Sequence, residues 1–174
     1  GQLPYGVVRL LGGVTFSLGL VLVIVGGAEL FTGNNLIVMA WASRRVTTAA
    51  LVRNWCVAYL GNLVGALGTV LLVYASGQYL LGNGLVGLAA LTIAESKCSL
   101  SFLQAVASGI LCNALVCLAV WLTFSARTTT DRILAIVPPI TAFVACGFEH
   151  SIANMYFIPL GLLIKASAPE SFWQ

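Results

Sequence analysis

Four long apolar stretches constrain this chain more than any other feature of its sequence. They run from about Val7 to Ala42, Trp55 to Ala75, Phe102 to Phe124 and Ile133 to Ile164. The middle two have the length of roughly 20 residues that one transmembrane helix needs. The outer two are too long for one straight span and too short for two. We therefore expect an all-α membrane protein with four spans.

The scarcity of charged residues excludes the main soluble alternatives. Of the 174 residues, 60% are hydrophobic and only 7% are charged, whereas soluble domains carry roughly a quarter charged residues. The formal net charge of +3 comes from basic residues scattered at the ends of the apolar stretches, so it forms no patch for a nucleic acid. A soluble enzyme, a disordered chain and a nucleic-acid binder are all poor interpretations.

The cysteines and the single histidine predict neither a metal site nor a cofactor. The five cysteines include no C-x-x-C pair, and the ligand spacing of a zinc site is absent. The first five residues carry no basic region of a signal peptide and are typical of the middle of a protein.

Polar and small residues interrupt both outer stretches. Gly33-Asn34-Asn35 interrupts the first stretch, and residues 146–151, which read Cys-Gly-Phe-Glu-His-Ser, interrupt the last. Non-helical backbone at membrane depth survives only where protein or a water-lined cavity satisfies its polar groups. Both outer stretches are therefore predicted to be broken helices.

Basic residues predict the orientation of the spans. The loops after the first and third spans carry five basic residues and the other side carries three, so the positive-inside rule places the former two loops in the cytoplasm. The Gly-rich loop over residues 76–100, which holds Glu95 and Lys97, then faces outward. The five are Arg44, Arg45, Arg53, Arg127 and Arg132, and the three are Arg9, Lys97 and Lys165.

The two interrupted stretches share the pattern G-x-E-x-x-x-x-N, at residues 27–34 and 147–154. Two spans lie between the copies, so the copies cross the bilayer in opposite directions, as in an inverted-topology repeat whose broken helices meet near the midplane. The pattern predicts that Thr32 and His150 lie close together. The plain alternative is that Gly and Asn only permit close packing of helices.

Three ionisable residues, Glu29, Glu149 and His150, lie well inside apolar stretches. A charge at the bilayer centre costs about 2.5 to 3.5 kcal/mol even on insertion scales, so such residues normally pair or line a conduction path. The glutamates have an equally good structural interpretation as caps of exposed backbone N–H groups. For His150 we favour a hydrogen-bond or proton donor in a pore, because imidazole changes charge near neutral pH, over a packed neutral ring.

Several motifs lie in register over essentially the whole chain, namely Glu29 to Asn34, Asn54-Trp55, Tyr59 to Ala66, Cys112 to Trp121 and Phe148 to Met155. Together they resemble the formate/nitrite transporter family. The stretch from Gly147 to Pro159 is most similar to the bacterial formate channels, which have Phe before the Glu-His pair.

The resemblance implies six transmembrane helices in an aquaporin-like inverted-repeat arrangement, with the second and fifth helices broken. It implies a homopentamer with one pore per subunit, in the lipid bilayer of the bacterial cytoplasmic (inner) membrane. Residues 1–174 are then a single transmembrane domain with four of the six spans, which lacks the family's first and last helices.

The resemblance also implies roles for particular residues. His150 matches the central pore histidine, Thr32 the threonine of the broken second helix, and Glu149 the acidic neighbour of the histidine. Asn113 and Lys97 match polar residues near the pore and in the outer vestibule. From the residues alone, Phe16, Leu20 and Phe143 would be ordinary core or lipid-facing side chains. Asn113 would be an interhelical hydrogen-bond partner. The outer hydrophobic constriction is Phe16, Leu20 and Phe143, and the inner one is Leu30 and Phe31.

The resemblance therefore implies a channel or transporter for small monovalent anions, foremost formate, and not an enzyme. If His150 gives a proton to the anion, transport depends on pH. Nitrite and hydrosulfide are alternative substrates, and a non-conducting structural membrane subunit is an alternative of another class. An intramembrane hydrolase that uses Ser151 and His150 is disfavoured, because no G-x-S-x-G motif is present.

Overall fold

The computed structural model of the chain describes residues 3–168 and residue 172. By length and composition, four of its helices (α1, α4, α6 and α7 below) could each cross a membrane, and α8 is a shorter apolar helix. The elements are α1 (Tyr5–Gly26), α2 (Phe31–Asn34), α3 (Ile37–Ala42), α4 (Thr48–Ala75), a 3-10 turn (Gln78–Leu80), α5 (Leu85–Cys98), α6 (Phe102–Thr123), α7 (Thr129–Cys146) and α8 (Ser151–Ser167).

Two glycines end the helices that lead into the interrupted segments. Gly27 follows α1 with φ +73°, and Gly147 follows α7 with φ +76°. A side chain is strained in this left-handed region, so glycine is favoured there and ends a helix. At its other end, α7 begins with a capping box in which Thr128 and Asp131 satisfy each other's backbone N–H groups.

The first apolar stretch is broken at two places, of which only the turn at residues 35–36 overlaps the predicted Gly33-Asn34-Asn35. Residues 27–30 are non-helical, whereas Gly33 and Asn34 belong to α2 and residues 35–36 form a turn. The reason is that Gly27 adopts the left-handed conformation and Gly33 does not. The interruption of the last apolar stretch, at residues 147–150, lies within the predicted residues 146–151.

Residues 76–100 were predicted to form a loop that faces outward. They are largely helical, so the prediction of a loop is wrong. Most of this segment forms α5, whose last turn contains Lys97. Three glycines with positive φ, at positions 77, 82 and 84, make the turns that precede the helix. Gly87 lies inside α5, where a Cβ atom would meet the Tyr79 carbonyl oxygen at 2.8 Å. It therefore permits close packing and does not mark a loop.

The chain divides into two compact units, which are described separately. The first comprises residues 1–59 and 106–150. Here α1 packs along α7, and a Cβ atom at Gly13 would lie 2.8 Å from the Thr141 Cα atom, so only glycine permits this approach of two backbones. The buried core of this unit is Leu20, Cys112, Val116, Ala119, Ile136, Ile140 and Phe143.

The second unit comprises residues 60–105 and 151–174. In it α5 packs along α8, with Gly161 directly against the Cβ atom of Ala94. The rings of Tyr74 and Tyr79 stack with centroids 4.9 Å apart. Its buried core is Val70, Tyr79, Leu160 and Ile164.

Candidate functional site

His150 and Thr32 meet inside the first unit. The Thr32 Oγ1 atom lies 3.2 Å from His150 Nε2, and the two side chains are only 4% and 7% exposed. A hydroxyl and an imidazole nitrogen can each donate or accept, depending on the imidazole tautomer, so either residue can offer the hydrogen. The predicted closeness of these two residues is confirmed.

Aromatic rings flank the imidazole on the side of α1 and α7. The ring centroid of Phe143 lies 5.8 Å from that of His150 at an interplanar angle of 28°, and that of Phe16 lies 6.2 Å away. Leu20 and Phe143 are buried in the core cluster against which Phe16 packs. The three residues predicted for the outer constriction thus belong to one apolar cluster, which the imidazole contacts. A hydrogen bond in such a low-dielectric environment is stronger than the same bond in water.

The two residues predicted for the inner constriction have different neighbours. Leu30 packs against the same core cluster as Leu20 and Phe143. Phe31 contacts the ring of Tyr59 edge-on, with centroids 5.2 Å apart. The interrupted segment thus presents one apolar side chain to the core and the next one to α4.

Asn113 lies on α6, where it contacts the next turn of its own helix. Its Nδ2 atom donates to Cys117 Sγ at 3.8 Å, and its Oδ1 atom is buried without a partner among the described residues. The Cys117 thiol in turn donates to the Thr32 carbonyl oxygen at 3.5 Å. The sequence analysis did not select Cys117, because nothing in its spacing distinguishes it from a core cysteine.

Two further residues that the sequence analysis missed hold the backbone beside His150. The Glu149 N–H donates to Ser108 Oγ at 2.9 Å. The Arg9 guanidinium donates to the Val144 carbonyl in the last turn of α7, where a cation interacts favourably with the helix dipole. Arg9 was counted among the loop charges but lies inside α1, and its position within the first apolar stretch was the available signal.

Glu29 is exposed in this structure and not a buried charge as its place in the sequence predicted. The Asn34 side chain donates to its carboxylate and also to Asn54 Oδ1, the latter at 2.9 Å. The Trp55 indole N–H donates to the Asn34 carbonyl at 3.1 Å. These bonds attach α2 to α4, so the Glu29-to-Asn34 and Asn54-Trp55 motifs are parts of one contact.

Lys97 lies in the second unit, at the end of α5. Its ammonium nitrogen is 5.7 Å from the centroid of the Phe157 ring, within the range of a cation–π interaction. The described residues contain no group of three His, Cys, Asp or Glu side chains that could hold a metal ion. Thr32 and His150 can offer hydrogen bonds at the site in the first unit.

Four apolar helices of membrane-spanning length are typical of a polytopic membrane protein. In this chain a buried hydroxyl–imidazole pair lies beside two phenyl rings. The sequence matches the family described as "Formate/nitrite transporter" over residues 1–174. The chain belongs to the formate/nitrite transporter family, and the relatives named below are described as channels.

Relatives of known name agree with this membership. The formate channel FocA of Escherichia coli K12 is 50% identical over 173 residues, which are 99% of this chain and 61% of that protein. FocA of Haemophilus influenzae is 43% identical over 171 residues, 98% of this chain and 60% of that protein. A solved structure described as a pentameric formate channel with formate bound matches with a TM-score of 0.91 and 48% identity, over 99% of this chain and 68% of that one.

The chain thus spans about three fifths of the length of these curated relatives. The likeness to the solved channel confirms the predicted all-α membrane fold. Membership of this family and the four apolar helices indicate that the chain is part of a multi-pass protein of the bacterial inner membrane.

Proposed function

We propose that this chain forms the pore region of a channel for small monovalent anions, with formate as its substrate. The observation that carries the proposal is the buried Thr32–His150 pair beside the Phe16–Phe143 cluster. Relatives named as formate channels, at 50% and 43% identity, support the choice of formate.

The main barrier to such an anion is the loss of water. An isolated carboxylate in an apolar medium costs on the order of tens of kcal/mol in solvation free energy. Thr32 Oγ1 and His150 Nε2 can replace part of the lost hydration with hydrogen bonds. Removal of the charge would lower the barrier further.

We propose that His150 removes the charge by giving a proton to the anion. The neutral acid then passes the side chains of Phe16, Leu20 and Phe143, and the imidazole recovers a proton from the acidic side. Such coupling makes uptake faster when the outer solution is more acidic. Lys97 and Asn113 are proposed to attract the anion and to line its path, and Glu149 to orient the segment that carries His150.

We propose that the protein works as a homopentamer with one pore in each subunit. The support is a likeness to a solved channel described as pentameric. Gly61 and Gly65 on α4 have no neighbouring atom within 4 Å of a Cβ position, so this face offers room for a second helix.

The test is anion flux through the purified protein in liposomes, with and without a pH gradient. We expect formate uptake that rises several-fold when the outer pH is lowered, and that exceeds uptake of nitrite and hydrosulfide. Larger flux of nitrite or hydrosulfide would reassign the substrate within the family. Absence of flux for all three anions would favour the non-conducting structural subunit.

A further inference from the structure

The carbonyl oxygen of Thr32 receives a hydrogen bond that its own helix does not provide. α2 is only four residues long, and the turn that follows it pairs the Leu36 N–H with Gly33, one residue beyond Thr32. Carbonyl groups at helix ends require outside partners, and an unsatisfied one costs several kcal/mol in a membrane. The Cys117 thiol donates to this oxygen at 3.5 Å.

Cys117 is itself held in place on α6. Asn113, one turn earlier, donates its Nδ2 hydrogen to the Cys117 sulfur at 3.8 Å, which leaves the thiol hydrogen directed to another acceptor. A thiol is a weak donor and a weak acceptor, so it can serve both contacts at once. The result is a chain of contacts from Asn113 through Cys117 to the backbone of Thr32, whose hydroxyl meets His150.

We infer that Cys117 is a positioning residue for the Thr32–His150 pair. It touches neither the imidazole nor the anion in this role. Its thiol fixes the backbone of the short helix α2, and thereby the distance and angle at which the Thr32 hydroxyl meets His150 Nε2. The inference rests on the proposed function, because the pair must act on the anion for its geometry to matter in transport.

A simpler role for Cys117 would be packing, since a thiol is also a small hydrophobe. A neighbouring residue separates the two roles. Val120, one turn further on α6, contacts the same segment, with its Cγ2 atom 3.4 Å from a Cβ position at Gly33, and it carries no hydrogen-bonding group. Val120→Ala therefore removes packing against the interrupted segment but no hydrogen bond.

The experiment measures formate flux into liposomes as a function of outer pH for Cys117→Ala, Cys117→Ser and Val120→Ala, normalised to assembled protein. The pH midpoint is the outer pH at which the flux reaches half of its maximum. We expect Cys117→Ala to lower flux by roughly two- to tenfold, the range of one lost neutral hydrogen bond, and to shift the pH midpoint. Cys117→Ser keeps a hydrogen-bond donor, although the C–O bond of serine is shorter than the C–S bond of cysteine. This variant should therefore retain more flux than Cys117→Ala. Val120→Ala should leave the pH midpoint unchanged.

A double variant tests whether Cys117 acts through Thr32. Residues that act as one unit give non-additive effects. In the Thr32→Val background, Cys117→Ala should therefore change the residual flux by less than twofold and leave the pH midpoint where Thr32→Val alone places it. If Cys117→Ala does not accumulate, Cys117→Val, which also lacks a donor, provides the comparison on the same two backgrounds. A wild-type pH midpoint in the variant without a donor, or full additivity of that variant with Thr32→Val, would overturn the inference. Absence of flux in the unmodified protein would instead refute the proposed function.

Discussion

His150 and Glu29, two ionisable residues of the interrupted segments, have different surroundings. His150 is buried, it lies within hydrogen-bond distance of one hydroxyl, and two phenyl rings flank it. Glu29, which has the same place in the repeated pattern as Glu149, is exposed and bonded to an amide. Sequence position alone therefore did not distinguish a buried polar group from an exposed one.

Replacement of His150 separates hydrogen bonding from proton transfer. His150→Phe removes both, and we expect flux to fall by roughly 10- to 100-fold, since a hydrogen bond to a charged group contributes about 1.5 to 3 kcal/mol. His150→Asn keeps a donor without a titratable proton, so some flux should remain without dependence on pH. Liposome flux against pH, normalised to assembled protein, measures both.

The control for these variants is the amount of assembled protein in the membrane, which should stay close to wild type. A packed, neutral imidazole with no role in transport would give the opposite pattern, namely lower stability and unchanged flux per assembled molecule. Wild-type pH dependence in His150→Asn would exclude the proton relay.

At the scale of helices, the contact between α1 and α7 places the site. Both helices contribute a phenyl ring beside His150, and Gly13 on α1 allows them to approach at Thr141. Any atom added at Gly13 must displace backbone atoms of α7, because the Thr141 Cα and carbonyl oxygen lie only 2.8 Å from the Cβ position. A larger residue at Gly13 is therefore expected to strain the contact between α1 and α7.

Gly13→Ala should lower the thermal unfolding midpoint in detergent, because overpacking costs about 1 to 3 kcal/mol against a gain of up to about 1 kcal/mol in helix propensity. Gly12→Ala is the matched control. It lies on the same helix with nothing within 4 Å of its Cβ position, so its midpoint should stay level or rise slightly. Equal unfolding midpoints for the two variants would show that the contact between α1 and α7 tolerates added volume.

The sequence predicts helices well where the signal is a long apolar stretch, and less well where small residues carry it. The apolar lengths correctly predicted α4 and α6 as spans, and the Cys146-to-Ser151 segment marked the interruption before His150. The same reasoning missed the break at residues 27–30, because the φ of Gly27 depends on its neighbours. It also mistook α5 for a loop, because the contacts of Gly87 with Tyr79 cannot be seen in the sequence.

For the molecule as a whole, much apolar surface of this chain has no partner within it. On α4, Val64 and Leu72 are 71% and 74% exposed, which suits contact with lipid or with another subunit. The family motifs predicted the family, and the repeated G-x-E-x-x-x-x-N pattern predicted the Thr32–His150 pair. They did not predict Arg9, Ser108 and Cys117, since each acts on backbone that is distant in sequence.

Gly65→Leu tests the proposed assembly. A leucine on the small-residue face of α4 should keep neighbouring subunits apart and reduce the pentamer fraction several-fold in native mass measurement in mild detergent. Val64→Leu enlarges an adjacent, already bulky exposed position and should leave that fraction unchanged. A wild-type pentamer fraction in Gly65→Leu would place the subunit contact elsewhere.

The ring geometry at His150 also has a magnetic consequence. An aromatic ring current shifts protons that lie over its face upfield, and the nearly parallel Phe143 ring lies 5.8 Å from the imidazole. Since the chain contains one histidine, its imidazole signals belong to a single residue and require no assignment against others. The carbon-bound imidazole protons of His150 should therefore be displaced from their usual resonance positions, as one isolated reporter of the packing of Phe143 and Phe16 against the imidazole.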